Sequence, residues 1–149
     1  HGITGNDGRG PVPSAGGLQA LELYVTSWTP GWLPAGYYHY DRAAHALAAI
    51  ANGLTREALA AIVPSLMILD GGALAWIVVG DHARVAARYT SRASRFLVLE
   101  AGHLVQNLCL ASTASALCTV PLGGFFERAI AGALVLPRTD RVLAVGVLG

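Results

Sequence analysis

Residues Arg88–Leu108 read RYTSRASRFLVLEAGHLVQNL, a stretch in which polar groups recur at helical spacing inside an apolar run. At 100° per residue, Glu100, His103 and Asn107 fall on one helix face. The remaining surface is largely apolar, which is typical of a core helix, and polar groups buried in such a helix require partners. The stretch therefore predicts a long helix that forms the wall of a functional site.

The segments outside this stretch alternate between strand and helix patterns, without the regular βαβ order of a parallel sheet. Ala73–Gly80 is a continuous apolar run, which predicts a central strand buried on both faces. Thr55 and Asp81 are expected helix N-caps. The expected strands are Leu21–Ser27, Tyr37–Asp41, His45–Ile50, Ala73–Gly80, Leu117–Pro121 and Arg141–Val147, and the expected helices are Arg56–Val63, the segment after Asp81 to about Tyr89, a long helix to about Ala116, and Phe125–Leu134. This mixture predicts an α+β fold, with residues 1–149 as one domain.

The composition favours a protein that associates with other chains. Of the 149 residues, 54% are apolar and 13% are charged, which is more apolar surface than a compact monomer hides easily. We therefore expect a sizeable subunit interface. No membrane span is expected, because Pro64 and Gly80 interrupt the apolar runs before they reach about 18 residues. The net charge of +1 gives no electrostatic reason to expect nucleic acid.

The basic residues and the cysteines narrow the possible chemistry further. All ten basic residues are arginine, so Schiff-base and P-loop chemistry that needs a lysine is excluded. Cys109 and Cys118 have no metal-binding or redox spacing, which predicts buried free thiols in a reducing compartment. The sequence contains no recognisable signal peptide, and a cytoplasmic location is therefore expected.

Two other kinds of site are disfavoured by what the sequence lacks. Glu100 and His103 form a Glu-x-x-His pair like those of di-iron helices, but such a site needs a second pair and two further glutamates. A hydrogen-bonded structural histidine is therefore favoured over a metal ligand. Ser14 has no histidine placed by sequence to activate it as a nucleophile.

Two glycine-bearing loops are candidate binding elements. Glycine lets a backbone approach a flat ligand closely, and amides that precede a helix offer unpaired donors. A tight turn without a ligand is the alternative for each loop. The first loop is Pro13-Ser14-Ala15-Gly16-Gly17, and the second is Pro121-Leu122-Gly123-Gly124.

A set of sequence blocks covers most of the chain. They are Gly2–Gly5 with Arg9, Pro13–Gly17, Leu21–Val25, Gly36–Asp41, Ala44–Leu47, Arg95-Phe96, Leu99–His103, Gln106–Leu108 and Val120–Phe125. In family order and at family spacing, these blocks resemble the FMN-dependent nitroreductase-like dehydrogenases. The similar branch is the SagB-type, or azoline, dehydrogenases of peptide natural-product pathways, and the Glu-Ala-Gly-His and Gln-Asn groups are the most specific.

This resemblance implies a fold, a cofactor and a partner. The fold is a nitroreductase-like α+β fold with a central, mainly antiparallel sheet and long dimerisation helices. The cofactor is FMN, bound at the subunit interface of a homo-oligomer, a dimer or larger, with a second protein subunit as a further partner. The reaction is an oxidation by hydride transfer to flavin N5, from an azoline or a cyclic dipeptide. By the resemblance, the Pro13–Gly17 and Pro121–Gly124 loops lie against the isoalloxazine.

The resemblance also points to a catalytic pair, Arg88 and Tyr89. Azoline dehydrogenases carry a Lys-Tyr pair at the matching positions. Aromatising an azoline releases a hydride and a proton, and a nearby cation favours ionisation of a phenol that takes the proton. Tyr89 is therefore assigned as general base and Arg88 as its activator or a substrate contact. The alternative is that Tyr89 is a half-buried amphipathic side chain.

On this interpretation the opening stretch serves two purposes. Arg88–Arg95 is the part expected to touch substrate or cofactor. Glu100, His103 and Asn107 are expected to form a hydrogen-bonded spine that fixes the dimer helix.

Two parts of the family pattern are not found in this sequence. The chain begins just after the point that matches the family's N-terminal helix, whose Arg-x-Ser-x-Arg group holds the FMN phosphate, so the domain is expected to be truncated there. The family's arginine after the closing strand is also absent. Another chain could supply these groups, or FMN could bind weakly. The alternative functions are a flavin-free assembly subunit and a generic NAD(P)H-driven nitro or quinone reductase.

Overall fold

The computed structural model describes residues 10–29, 31, 33–65 and 72–149. Gly2–Gly5 and Arg9, which contribute to the family resemblance, lie outside the described residues.

The described chain contains six strands and four α-helices. Apart from one break in the opening stretch, each lies within two residues of its predicted bounds, so the α+β prediction is confirmed. The strands are β1 (Leu21–Ser27), β2 (Gly36–Asp41), β3 (Ala46–Ile50), β4 (Leu74–Asp81), β5 (Thr119–Leu122) and β6 (Asp140–Leu148), and the helices are α1 (Arg56–Ile62), α2 (His82–Tyr89), α3 (Ala93–Ala114) and α4 (Glu127–Ala133).

All six strands form one antiparallel sheet in the order β3-β2-β1-β4-β6-β5. The predicted hairpin of β2 and β3 is confirmed, with Tyr37 opposite Ile50 and Asp41 opposite Ala46. β4 lies at the centre and is buried along seven of its eight residues, as its apolar sequence predicts. Each fully buried aliphatic side chain there contributes about 1.5–3 kcal/mol.

Successive residues of β4 point to opposite faces of the sheet, and each face carries a helical layer. Ile77 packs with α1 and α4 residues in one core. Val78 packs with α2 and α3 residues in the other. The sheet is therefore sandwiched between two pairs of helices, with α2 and α3 together on one side.

Both predicted N-caps are confirmed. The Thr55 hydroxyl accepts from the Ala58 amide at 3.2 Å. The Asp81 carboxylate accepts from the Arg84 amide at 2.9 Å. Since Asp81 is also the last residue of β4, α2 begins directly at the end of the central strand.

The predicted boundary between a helix that ends at about Tyr89 and the long helix after it is confirmed, so Arg88–Leu108 is not one continuous helix. α2 ends at Tyr89, a 3₁₀ turn occupies Thr90–Arg92, and α3 starts at Ala93. The break is at Thr90, whose φ of 47° is left-handed and cannot continue an α-helix.

The expectation that α3 is a core helix on all sides is also wrong within this chain. Its buried face carries residues such as Leu97 and Leu104, which pack on the sheet. The opposite face exposes three large apolar side chains. These are Val98 (61% exposed), Leu99 (50%) and Leu110 (60%).

The cysteine prediction is correct in one respect and wrong in another. Cys109 and Cys118 are both free thiols, but Cys109 is half-buried and Cys118 is exposed. Cys118 lies in the connection between α3 and β5, where its backbone pairs with that of Gly149. Among the described residues, no helix has the length and hydropathy needed to cross a membrane.

Candidate functional site

The Pro13–Gly17 loop, hereafter the 13–17 loop, leads into β1 through a tight, left-handed turn. A single 3₁₀ turn covers Ala15–Gly17. Gly16 and Gly17 have φ values of 60° and 68°, which glycine adopts without steric cost. Gln19 is also left-handed, at φ 48°, and its amide donates to the Ser14 hydroxyl at 2.7 Å.

The structure brings the predicted catalytic pair against this loop. A Cβ atom added at Gly16 would lie 2.5 Å from the Tyr89 hydroxyl and 3.0 Å from Nη1 of Arg88. Arg88 also donates to the Gly16 carbonyl at 3.4 Å. The sequence is folded so that the end of α2 and a glycine 72 residues earlier meet, and a side chain at position 16 would have to displace the ends of the Tyr89 and Arg88 side chains.

Tyr89 is held by aromatic and cationic neighbours. Its ring packs edge-on against Phe96, with centroids 4.7 Å apart. The guanidinium carbons of Arg88 and Arg92 lie 5.6 and 6.0 Å from the ring centroid. Tyr89 is half-buried while Arg88 and Arg92 are exposed, so positive charge surrounds a ring whose hydroxyl is directed at the loop.

Glu100, on α3, holds the loop from the other side. It is 4% exposed, and its carboxylate accepts from the Ala15 amide at 3.1 Å. It also accepts from the Ser14 hydroxyl and the Ala20 amide. Burial raises the pKa of Glu100, although these hydrogen bonds and the charge of Arg42 act in the opposite direction.

The expected spine of three polar residues on α3 is only partly present. Asn107 donates to the Pro11 carbonyl at 3.2 Å, so it holds the segment that precedes the loop. His103 is exposed. His103 and Glu100 lie on the same side of the helix but point about 60° apart around its axis. One side chain can therefore be exposed while the other is buried.

A cavity of about 380 Å³ lies over the 13–17 loop. Its lining is mostly backbone, because glycine and proline dominate it, and a Cβ atom at Gly17 would meet nothing within 4 Å. A flat, exposed glycine backbone with a phenol and guanidinium groups beside it fits the ring of a flavin. The residues that line the cavity are Gly10, Val12, Pro13, Ser14, Gly16, Gly17 and Gln19.

The second predicted loop, Pro121–Gly124 (the 121–124 loop), lies at the edge of the sheet that β5 forms. Pro121 and Leu122 belong to the edge strand β5, where Leu122 is buried in the core and pairs with Val145. Pro121, Gly123 and Gly124 are exposed. β5 is separated from β1 by β4 and β6, about 14 Å at the usual strand spacing. The chain by itself does not bring its two glycine loops together.

Three polar groups near the 13–17 loop were not predicted from the sequence. Arg42 and Arg84 both donate to the Gln19 carbonyl, at 3.2 and 3.0 Å. Arg42 is in the β2–β3 turn and Arg84 is in α2, so their convergence depends on the tertiary structure. Gln19 itself gave no signal, since left-handed backbone is uncommon for this residue type.

The model of the Nitroreductase family matches residues 8–149. The chain belongs to the nitroreductase family. Two findings agree with this membership, namely the antiparallel sheet and the long helix α3. The predicted family resemblance is therefore confirmed at the level of the family.

Individual members of the nitroreductase family show the same likeness. A nitroreductase-like protein of Methanocaldococcus jannaschii is 29% identical over 130 residues, which cover 87% of this chain and 66% of that protein. A crystal structure of a nitroreductase-like protein from Anabaena variabilis is 31% identical and superposes with a TM-score of 0.83. The match covers 92% of this chain and 28% of that one.

Two more distant nitroreductase-fold structures extend the comparison. The Escherichia coli microcin synthetase McbBCD complex, with truncated pro-MccB17 bound, contains a chain that is 24% identical, with a TM-score of 0.84. The NADPH:FMN oxidoreductase of Vibrio harveyi is 18% identical, with a TM-score of 0.65. The alignments cover 99% and 93% of this chain, but only 58% and 54% of the respective relatives. At these identities the likeness concerns the fold.

The chain spans no more than about two thirds of any of these relatives: 66% of the archaeal protein and 28%, 58% and 54% of the three structures.

Proposed function

We propose that this chain is a subunit of an FMN-dependent oxidoreductase of the SagB-type branch, which oxidises an azoline or a cyclic dipeptide derived from a peptide. The observation that carries the proposal is the meeting of Tyr89 and Arg88 with Gly16. The family resemblance assigns the first two residues to catalysis and the third to FMN, and the fold places them in contact.

Different residues of the chain would have different roles in this oxidation. Bound FMN would supply a hydride acceptor for the oxidation. The 13–17 loop would hold its ring on a backbone surface free of side chains. The Tyr89 oxygen, acting as the phenolate, would receive the proton that the substrate releases, and Arg88 would favour that ionised form or contact the substrate. Phe96 limits rotation of the Tyr89 ring and so keeps its hydroxyl directed at the loop.

The proposal includes oligomerisation through the exposed face of α3. Val98, Leu99 and Leu110 leave apolar surface exposed on one side of this helix, and such surface is typical of an interface. The 121–124 loop would then reach the cofactor from a second subunit. Assembly with a different protein also fits, since the structurally similar microcin synthetase chain belongs to a multi-subunit complex.

Replacing Tyr89 by phenylalanine tests the catalytic assignment. In the FMN-loaded oligomer, Tyr89→Phe removes the hydroxyl but leaves the ring packing on Phe96 intact. Turnover of an azoline-containing peptide should fall about a hundredfold or more, because the proton has lost its acceptor. FMN content, measured from the flavin absorption spectrum, should not change.

Tyr37→Phe is the matched control. Tyr37 belongs to β2 and packs on Gly53, away from the 13–17 loop. The turnover of this variant should equal that of the wild type. Full turnover in Tyr89→Phe would remove the assignment of the base. A protein that stays colourless after incubation with FMN would indicate a flavin-free assembly subunit, and activity that requires NAD(P)H would indicate a plain reductase.

A further inference from the structure

Glu100 is unusual because it is charged and deeply buried. Among the described residues, no other charged side chain is buried to this degree. A carboxylate removed from water is costly unless hydrogen bonds replace its hydration. The donors that surround it therefore show what holds this side chain in place.

The hydrogen-bond donors to Glu100 all come from one short segment. They are the Ser14 hydroxyl and the amides of Ala15 and Ala20, with the Ala15 amide at 3.1 Å. Because α3 is anchored to the sheet by Leu97 and Leu104, the carboxylate is fixed and the segment is the part that it positions.

The opposite side of the same segment contacts the proposed catalytic pair. Gly16 follows directly after Ala15, and it lies against the Tyr89 hydroxyl and the Arg88 guanidinium. The loop is therefore clamped between the carboxylate of Glu100 and the end of α2. We propose that Glu100 is a positioning residue, which holds the 13–17 loop at the distance from Tyr89 and Arg88 that the site requires. The importance of Glu100 for catalysis rests on the function proposed above.

Separate contacts fix the two ends of the segment, so the effect of Glu100 should be local. Upstream, Asn107 donates to the Pro11 carbonyl. Downstream, Arg42 and Arg84 donate to the Gln19 carbonyl. Loss of the carboxylate should loosen the chain between these anchors without detaching it from α3.

Amide hydrogen exchange in the cofactor-free protein tests this inference directly. Glu100→Gln keeps the side-chain volume but places an NH₂ group where backbone amides also donate. The exchange rates of the Ala15 and Ala20 amides should rise about tenfold, which corresponds to the loss of one hydrogen bond. Amides of β4 should exchange as in the wild type. Glu57→Gln, the same chemical change at an exposed position in α1, should alter neither set.

Flavin binding provides a second measurement. In Glu100→Gln, the Kd for FMN should rise about tenfold and the visible absorption maxima of bound FMN should shift, because the loop backbone is displaced. A residue that only stabilised α3 would change global unfolding but not these maxima. If Glu100→Gln does not fold, Ser14→Ala removes one of the three donors and should give a smaller rise in exchange at Ala15 and Ala20.

Unchanged exchange at Ala15 and Ala20 in the folded variants would overturn the inference. Failure of the wild-type oligomer to bind FMN would instead refute the proposed function. Exchange in the cofactor-free protein would then still decide whether Glu100 positions the loop, because that measurement needs no flavin.

Discussion

The two glycine loops have similar sequences but opposite environments. Gly16, in the 13–17 loop, is left-handed and so crowded by Tyr89 and Arg88 that a Cβ atom would collide. Gly123 and Gly124, in the 121–124 loop, have ordinary φ values and no neighbour within 4 Å of an added Cβ atom. One loop is constrained by its own chain, and the other has space around it.

This difference indicates which half of the site the chain completes alone. The 13–17 loop already contacts the proposed base and its own buried anchor, Glu100. Crowding within the chain gives no reason for glycine at 123 and 124, and the open space leaves this backbone accessible from outside the chain. Such an arrangement fits a site shared between subunits, and each prediction below tests one side of the contrast.

The largest expected effect is that of Gly16→Ala. Left-handed backbone costs alanine about 1 kcal/mol, and the collision with Tyr89 and Arg88 should add about 1–3 kcal/mol. The free energy of unfolding in urea should therefore fall by about 2 kcal/mol or more. Gly17→Ala is the matched control, because Gly17 shares the left-handed φ but has no crowding neighbour. Equal losses in the two variants would show that crowding at Gly16 is unimportant.

A smaller effect should appear as a pH dependence of the free energy of unfolding, caused by Glu100, which contacts the 13–17 loop. Burial raises the pKa of Glu100 above its ordinary value of 4.5, so the folded state favours the protonated carboxyl. The resulting stabilisation is fully present below pH 4.5 and is lost as the pH rises through the raised pKa. The free energy of unfolding of the wild type, relative to Glu100→Gln, should therefore decrease from pH 4 upward. A difference that grows with pH would contradict the assigned direction.

The smallest effect is expected for Gly123→Ala. With an ordinary φ and open space, alanine should change the free energy of unfolding by no more than about 0.5 kcal/mol, and reduced freedom of the unfolded chain favours a slight gain. Chemical denaturation of the FMN-free protein measures this. A loss above about 1 kcal/mol would mean that the 121–124 loop is held within its own chain, and the contrast between the loops would disappear.

Local sequence patterns predicted most of the fold. β1 has the predicted bounds because its alternating pattern ends in turn-forming residues, and α2 begins at the predicted Asp81 cap. The end of α2 at about Tyr89 was also predicted. The 3₁₀ turn at Thr90–Arg92 and the positive φ of Thr90 were not, because RYTSRASRF contains no glycine or proline to mark them.

The individual residues of the candidate site could be predicted from the sequence, but the contacts between them could not. Family resemblance assigned Tyr89 and the 13–17 loop separately, and only the fold shows that they touch. Helical spacing marked Glu100 as a polar residue that needs partners, but it could not identify donors 80 or more residues away. It also grouped His103 with Glu100, although His103 is exposed.

The strand order of the sheet has a consequence for folding during synthesis. β6 lies between β4 and β5 and pairs with both, yet it is translated after them. Until residues 140–148 leave the ribosome, β5 has no strand to pair with and one edge of β4 is open. Pairing β4 with β6, which are distant in sequence, must meet a loop-closure cost before any contact is gained and is therefore slow. A partly made chain therefore exposes apolar strand edges, a state that is prone to aggregation.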